Sequence, residues 1–130
     1  MRIVVGYDGS NASKEALSVA RRHALALKAT VDVVTSMEKG TEQEQQAIED
    51  AERGLEWAKA VFEEKGVPCK THLLIRGLAP GEDLVGFANE NQADMIVVGV
   101  KRRSKVGKLL MGSTAQFVIL QAPCPVMTVK

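Results

Sequence analysis

The densest chemistry in this 130-residue chain lies in one stretch, Gly99-Val-Lys-Arg-Arg-Ser-Lys-Val-Gly107-Lys-Leu-Leu-Met-Gly112-Ser113-Thr114. Five of the eight residues from Lys101 to Lys108 are Lys or Arg. The stretch ends at a glycine followed by hydroxyl residues. If a helix starts there, its free N–H groups and dipole favour an anion, and the hydroxyls add donors. A basic surface loop is also explained by solvation alone, with Ser113 as a helix cap. A second group, Gly6-Tyr7-Asp8, closes a short apolar run near the N-terminus. Its carboxylate either accepts hydrogen bonds from a ligand or belongs to a helix-start turn.

Several familiar chemistries are excluded. Gly107-Lys108 is followed by Leu109, and the residue five before Gly107 is Arg102, so this is not a P-loop. No G-x-G-x-x-G and no nucleophile-elbow sequence is present. Neither His23 nor His72 has a metal-ligand partner at i+3 or i+4. His23 reads as a core-edge residue of a helix, and His72, in an alternating segment, as outward-facing. Cys69 and Cys124 lack CxxC spacing and read as small buried hydrophobes in a reducing compartment. Trp57, beside Glu56 and Lys59, reads as a partner surface or a packed edge. An aromatic content of 4% argues against base-stacking recognition of nucleic acid.

These residues must be positioned by alternating strands and helices. Arg2 to Tyr7 is a β-branched run stopped by Asp8-Gly9-Ser10. A helix follows from about Asn11 to Lys28, with Ala12, Ala16, Ala20, His23, Ala24 and Leu27 at helical spacing. Thr30 to Ser36 is a second strand. Thr41 and Glu44 have capping-box spacing ahead of a helix that reaches about Lys65, where Gly66 caps it and Pro68 forbids continuation. Cys69 to Ile75 is a third strand. A turn over Gly77 to Gly81 leads into a third helix ending near Asn91. Asp94 to Gly99 is an almost wholly apolar strand, as a central parallel strand covered on both faces should be. Gly112-Ser113 opens a fourth helix to about Gln121, and Val126 to Val129 is the last strand.

Strands separated by helices require a parallel sheet. The expected fold is a single α/β domain over residues 1–130: a doubly wound five-stranded parallel sheet of order 3-2-1-4-5 with helices on both faces. Ligands in such folds bind beyond the carboxyl ends of the strands where the order reverses. That point sets Gly6-Tyr7-Asp8 opposite Gly99-Val100-Lys101. Hydrophobic residues at 45%, charged residues at 25% and a net charge of +1 describe a soluble protein without a field for nucleic acid or membrane. No stretch has signal-peptide or membrane-spanning character, so a cytoplasmic location is expected.

Over essentially its full length the chain resembles the universal stress protein family. The resemblance is carried by IVVGYDGS at residues 3–10, DMIVVG at 94–99, Gly112-Ser113 and APCPV at 122–126. The nucleotide-binding branch of that family has the pattern G-x2-G-x9-G-[S/T]. Here the first glycine is Gly99 and the final pair is Gly112-Ser113, but Arg102 occupies the middle glycine position. The resemblance implies a flavodoxin-like, adenine nucleotide alpha hydrolase-like fold and a regulatory domain binding ATP or AMP, with Mg accompanying the phosphates.

By this resemblance Gly6, Tyr7 and Asp8 meet the adenosine, and Ser36 lines the adenine pocket. Gly99, Val100, Lys101, Arg102, Arg103, Gly112, Ser113 and Thr114 hold the phosphates. Asp8 suits ribose hydroxyls, because a carboxylate accepts two hydrogen bonds, and is the one protein group in reach of a metal. Gly6 stands where the family often has Pro. Arg102 either grips the phosphates or blocks the approach of backbone to them. The resemblance also implies a homodimer in which Val126, Met127, Thr128 and Val129 pair across a two-fold axis. No general base is identifiable, so activity extends at most to slow ATP hydrolysis. The alternative is a dimeric interaction module that binds no nucleotide. The residues argue against a third class, a phosphotransfer receiver, because the third strand ends in Ile75-Arg76 with no Asp there to receive a phosphoryl group.

Overall fold

A computed structural model describes residues 1–100 and 111–130 of the chain. Strands β1 (Arg2–Gly6), β2 (Thr30–Ser36), β3 (Cys69–Leu74), β4 (Met95–Gly99) and β5 (Val126–Val129) form one sheet. The order is β3-β2-β1-β4-β5 and every pairing is parallel, as expected. Helices α1 (Asn11–Leu27) and α2 (Gln45–Glu63) cover one face, and α3 (Pro80–Glu90) and α4 (Ser113–Gln121) the other.

Strand alternation sorts the core. Ile3 and Val5 of β1, Val31 and Val33 of β2 and Val97 of β4 pack beneath α1 and α2, with Leu17, Leu55, Ala58 and Phe62. Val4, Val34, Ile96 and Val98 face the other way, against Leu84, Phe87, Ala88 and Val118. The three central residues of β4 are buried, so its unbroken apolar run serves both layers.

Local signals set most boundaries. Ser10 caps α1 by accepting the Ser13 N–H at 3.2 Å. The buried stripe of α1 is Ser13, Ala16, Leu17, Ala20 and Ala24. Leu27, expected in that stripe, is 45% exposed, because the helix ends there and Lys28 turns into the left-handed region at φ 53°. Gly66 ends α2 with φ 74°. Its N–H bonds Glu63 O at 2.9 Å and the Val67 N–H bonds Phe62 O at 3.0 Å, the paired closure of a Schellman turn.

Two expectations are corrected. Thr41 precedes a short 3-10 turn, Glu42–Glu44, and its hydroxyl bonds the Glu44 carboxylate rather than capping a backbone N–H. His72 does not face outward. Its Nε2 lies 2.9 Å from Oδ1 of buried Asp32, and its ring packs on Phe87 of α3 at 4.6 Å between centroids. Arg2 Nε donates to the other Asp32 oxygen at 3.1 Å. Asp32 thus sits inside an otherwise apolar sheet with both oxygens engaged, as a buried carboxylate must.

Candidate functional site

Where β1 ends, the connections on its two sides run to opposite faces of the sheet, and a cleft of about 260 Å³ opens there. Its apolar side is built from Val34 and Val98 in the sheet and Pro80 and Leu84 on α3. Gly6 belongs to this side. A Cβ there would come within 3.0 Å of Leu84 Cδ2 and 3.4 Å of Val98 Cγ1, so the missing side chain is what keeps the slot open.

The opposite side is the start of α4. Gly112 is its N-cap and has no side chain with which to cap it. Gly112, Ser113, Thr114 and Ala115 all border the cleft. The first-turn N–H groups of a helix have no intrahelical partner and carry the positive end of its dipole, so this side suits an anion.

Between the two sides lie Asp8 and Ser10, at the start of α1. Asp8 Oδ1 accepts the Ser10 N–H at 2.9 Å, and Ser10 in turn caps α1. The helix-start turn therefore fixes an exposed carboxylate at the cleft rim.

Tyr7 also borders the cleft, but its ring lies in the α1–α2 core, stacked on Trp57 at 6.3 Å. Burial, and secondarily the Asp8 charge, raise its phenol above the ordinary tyrosine range. Its backbone is tied to β2: the N–H donates to Val34 O at 2.9 Å, and the C=O accepts the Thr35 hydroxyl at 2.7 Å. Trp57 is a packed edge, 48% exposed, with the Lys14 ammonium 5.7 Å from its ring centre.

Ser36 ends β2 at the cleft, and its hydroxyl donates to Asp83 Oδ2 at 2.7 Å. Asp83, in the first turn of α3, is completely buried. Its other oxygen accepts Arg76 Nε at 2.6 Å, and Arg76 reaches Glu90 at 3.2 Å. The hydrogen bond to Asp83 leads the interactions that raise the Arg76 pKa and hold its guanidinium charged. Neither Asp83 nor Arg76 was legible as a site-supporting residue from the sequence. Both read locally as ordinary polar positions around a turn.

Of the residues singled out by sequence, Gly6, Tyr7, Asp8, Ser36, Gly99, Gly112, Ser113 and Thr114 come together around this cleft. Val100 does not border it. It is buried, and its N–H donates to Val129 O at 2.7 Å, continuing the β4–β5 ladder. Lys101, Arg102 and Arg103 lie outside the described residues. Val34, Ser10, Pro80, Leu84, Val98 and Ala115 complete the lining and were not singled out.

A larger hollow of about 540 Å³ lies at the amino ends of β2 and β3. Of its charged residues, Arg2 pairs with Asp32 and Lys59 with Glu63, and Lys70 stands beside them. Among the described residues no three His, Cys, Asp or Glu side chains converge on a metal position. Nor is any helix among them long and apolar enough to cross a membrane.

Comparison with known proteins places the chain. Residues 1–130 match the model of the Universal stress protein family. A Thermus aquaticus protein named "Universal stress protein in QAH/OAS sulfhydrylase 3'region" is 37% identical over 98% of this chain and 97% of its own length. A solved universal stress protein from Archaeoglobus fulgidus is 38% identical with a TM-score of 0.91, covering 100% of this chain and 98% of that one. A universal stress protein from Archaeoglobus fulgidus in complex with dAMP is 34% identical with a TM-score of 0.85, covering 100% and 98%.

Proposed function

The chain belongs to the universal stress protein family, and from that premise we propose that it is a regulatory domain whose cleft binds an adenine nucleotide, AMP or ATP. One observation carries this reading. A single cleft joins an apolar slot, between Gly6, Val34, Leu84 and Val98, to the amino end of α4. A flat apolar base fills the slot, and a phosphate meets the helix dipole and the Ser113 and Thr114 hydroxyls. Asp8, at the rim between them, accepts the ribose hydroxyls. The relative in complex with dAMP shares the fold and a third of the sequence, which supports the same ligand class here.

Metal enters this reading only with ATP. Asp8 is the sole acid lining the cleft among the described residues, so Mg would be held chiefly by the phosphates. No general base stands at the phosphate side among those lining residues, and binding rather than turnover is the proposed activity. We place the protein in the cytoplasm, with both cysteines as free thiols.

The same reading includes a homodimer through β5. Ile96 N–H bonds Pro125 O, and Val100 N–H bonds Val129 O. In a parallel ladder that register turns the N–H groups of Val126 and Thr128 to the outer edge. Alongside, α4 exposes Phe117, Ile119 and Leu120. Exposed apolar side chains on a helix call for cover, and an open strand edge calls for a partner strand. This observation favours the second reading as well, a dimeric interaction module that binds no nucleotide.

Mass spectrometry of small molecules released on denaturation, followed by calorimetry with AMP and with ATP plus Mg, separates the two. An adenine nucleotide released from the protein, or micromolar binding, supports the first reading. Absence of both leaves the interaction module.

A further inference from the structure

We propose that Ser36, oriented by Asp83, selects the base in the cleft by presenting a hydrogen-bond acceptor that an exocyclic amine satisfies and a carbonyl at the same position does not; this rests on the nucleotide reading above. The inference follows from counting protons. A serine hydroxyl has one proton to donate and two lone pairs to accept with. The Ser36 proton is committed to Asp83 Oδ2 at 2.7 Å. The other Asp83 oxygen accepts Arg76 Nε at 2.6 Å, so both oxygens of that side chain are engaged as acceptors. Asp83 is completely buried and does not border the cleft, whereas Ser36 does. The hydroxyl therefore turns its proton away from the cleft and its lone pairs toward it.

The position of Ser36 makes this matter for a base. Ser36 ends β2, while Gly99, which borders the cleft together with the amino end of α4, ends β4, with β1 between them. Two strand spacings, roughly 10 Å, separate the acceptor from the anion side. A nucleotide whose phosphate meets α4 therefore points its base toward Ser36, between the walls made by Val34, Pro80 and Leu84. Adenine carries an exocyclic amine that donates to an acceptor. Hypoxanthine has a carbonyl oxygen at that position, which would set two acceptors face to face and leave both unsatisfied. Purine without a substituent there merely leaves Ser36 unpaired. Asp83 acts through Ser36 and is a positioning residue.

The test is a cycle of two ligands and two proteins read by calorimetry. Wild type should bind AMP roughly 5- to 50-fold more tightly than purine riboside 5′-monophosphate, the analogue lacking the amine. Ser36→Ala should bind the two equally. An AMP preference that survives in Ser36→Ala overturns the proposal while leaving nucleotide binding intact. If wild type binds neither ligand, the nucleotide reading fails and this inference fails with it. Asp83→Asn adds a readout that packing damage cannot mimic. Its amide nitrogen donates to Ser36 while its oxygen still accepts from Arg76, which frees the Ser36 proton for the cleft. The preference should then move from AMP toward inosine 5′-monophosphate. A folded Asp83→Asn protein that keeps the wild-type preference overturns the orienting role. If that variant does not fold, the Ser36 cycle decides the proposal alone.

Discussion

Gly99 at the end of β4 and Ala12 in the first turn of α1 are in backbone contact. A Cβ on Gly99 would lie 2.5 Å from the Ala12 carbonyl carbon and 2.6 Å from its oxygen. The glycine therefore answers first to helix packing, whatever it also offers a ligand. It lets the start of α1, with Ser10 and Asp8, sit against the strand that borders the cleft.

Two glycine substitutions should separate stability from binding. Gly99→Ala pushes a methyl into main chain, which cannot yield locally, and should cost at least about 1–3 kcal/mol in urea unfolding. Gly6→Ala meets only side-chain methyls, Leu84 Cδ2 at 3.0 Å and Val98 Cγ1 at 3.4 Å, and should cost less than about 1 kcal/mol. It narrows the apolar slot, however, so AMP affinity should fall. Equal unfolding midpoints for the two variants would contradict this assignment.

Light scattering at micromolar concentration should report twice the chain mass. Val126→Pro removes an outward N–H from β5 without touching its ladder to β4, and should shift the protein toward monomer. Leu120→Glu, at a helix residue 77% exposed in the single chain, should do the same by charging the apolar face of α4. A stable wild-type monomer, or dimers unaffected by both changes, would reject the interface.

Both cysteine thiols should be free but sluggish. Burial, reinforced by the Asp32 charge, pushes the Cys69 thiol up to about 11, and burial followed by Asp94 raises Cys124. Less thiolate at pH 8 means slower alkylation than for an ordinary cysteine. In denaturant, without reductant, two thiols per chain should react at the ordinary rate. The sign for stability follows. Near pH 9 the unfolded chain ionises Cys69 while the native chain does not, so stability from this group should decline between about pH 9 and 11. Rapid Cys69 labelling of the native protein at pH 8 would be the wrong outcome.

Arg102 stands at the middle glycine position of the family pattern. A charge-assisted contact to phosphate is worth about 1.5–3 kcal/mol, or one to two orders of magnitude in affinity. Arg102→Ala should weaken ATP binding by that factor and make it less sensitive to added salt. Arg102→Gly should weaken it similarly. If wild type instead shows no ATP affinity and Arg102→Gly creates it, the arginine blocks the site. Calorimetry on the three proteins decides between these roles.

Much of the fold was legible because its signals are local. The β-branched run Thr30–Ser36, the apolar run ending at Gly99, the Ser10 cap and the Gly66 turn are each written in a few contiguous residues. The order of the sheet follows from these with general rules for parallel connections. Because the ends of β1 and β4 are adjacent in that order, Gly6, Asp8, Gly99 and Ser113 could be assigned to one cleft before any coordinate was known. Tertiary structure alone decided the rest. Ser36 meets Asp83 across 47 residues, Arg2 and His72 converge on Asp32 from β1 and β3, and Gly99 meets Ala12 from another element. His72 shows why its direction was misjudged. Alternation along β3 says that neighbouring side chains oppose each other, but not which face carries a buried carboxylate. That is set by the register of β2 against β3, where His72 pairs with Val34. Hydrogen-bond partners distant in sequence leave no periodicity to read, because their meeting depends on the packing of whole elements.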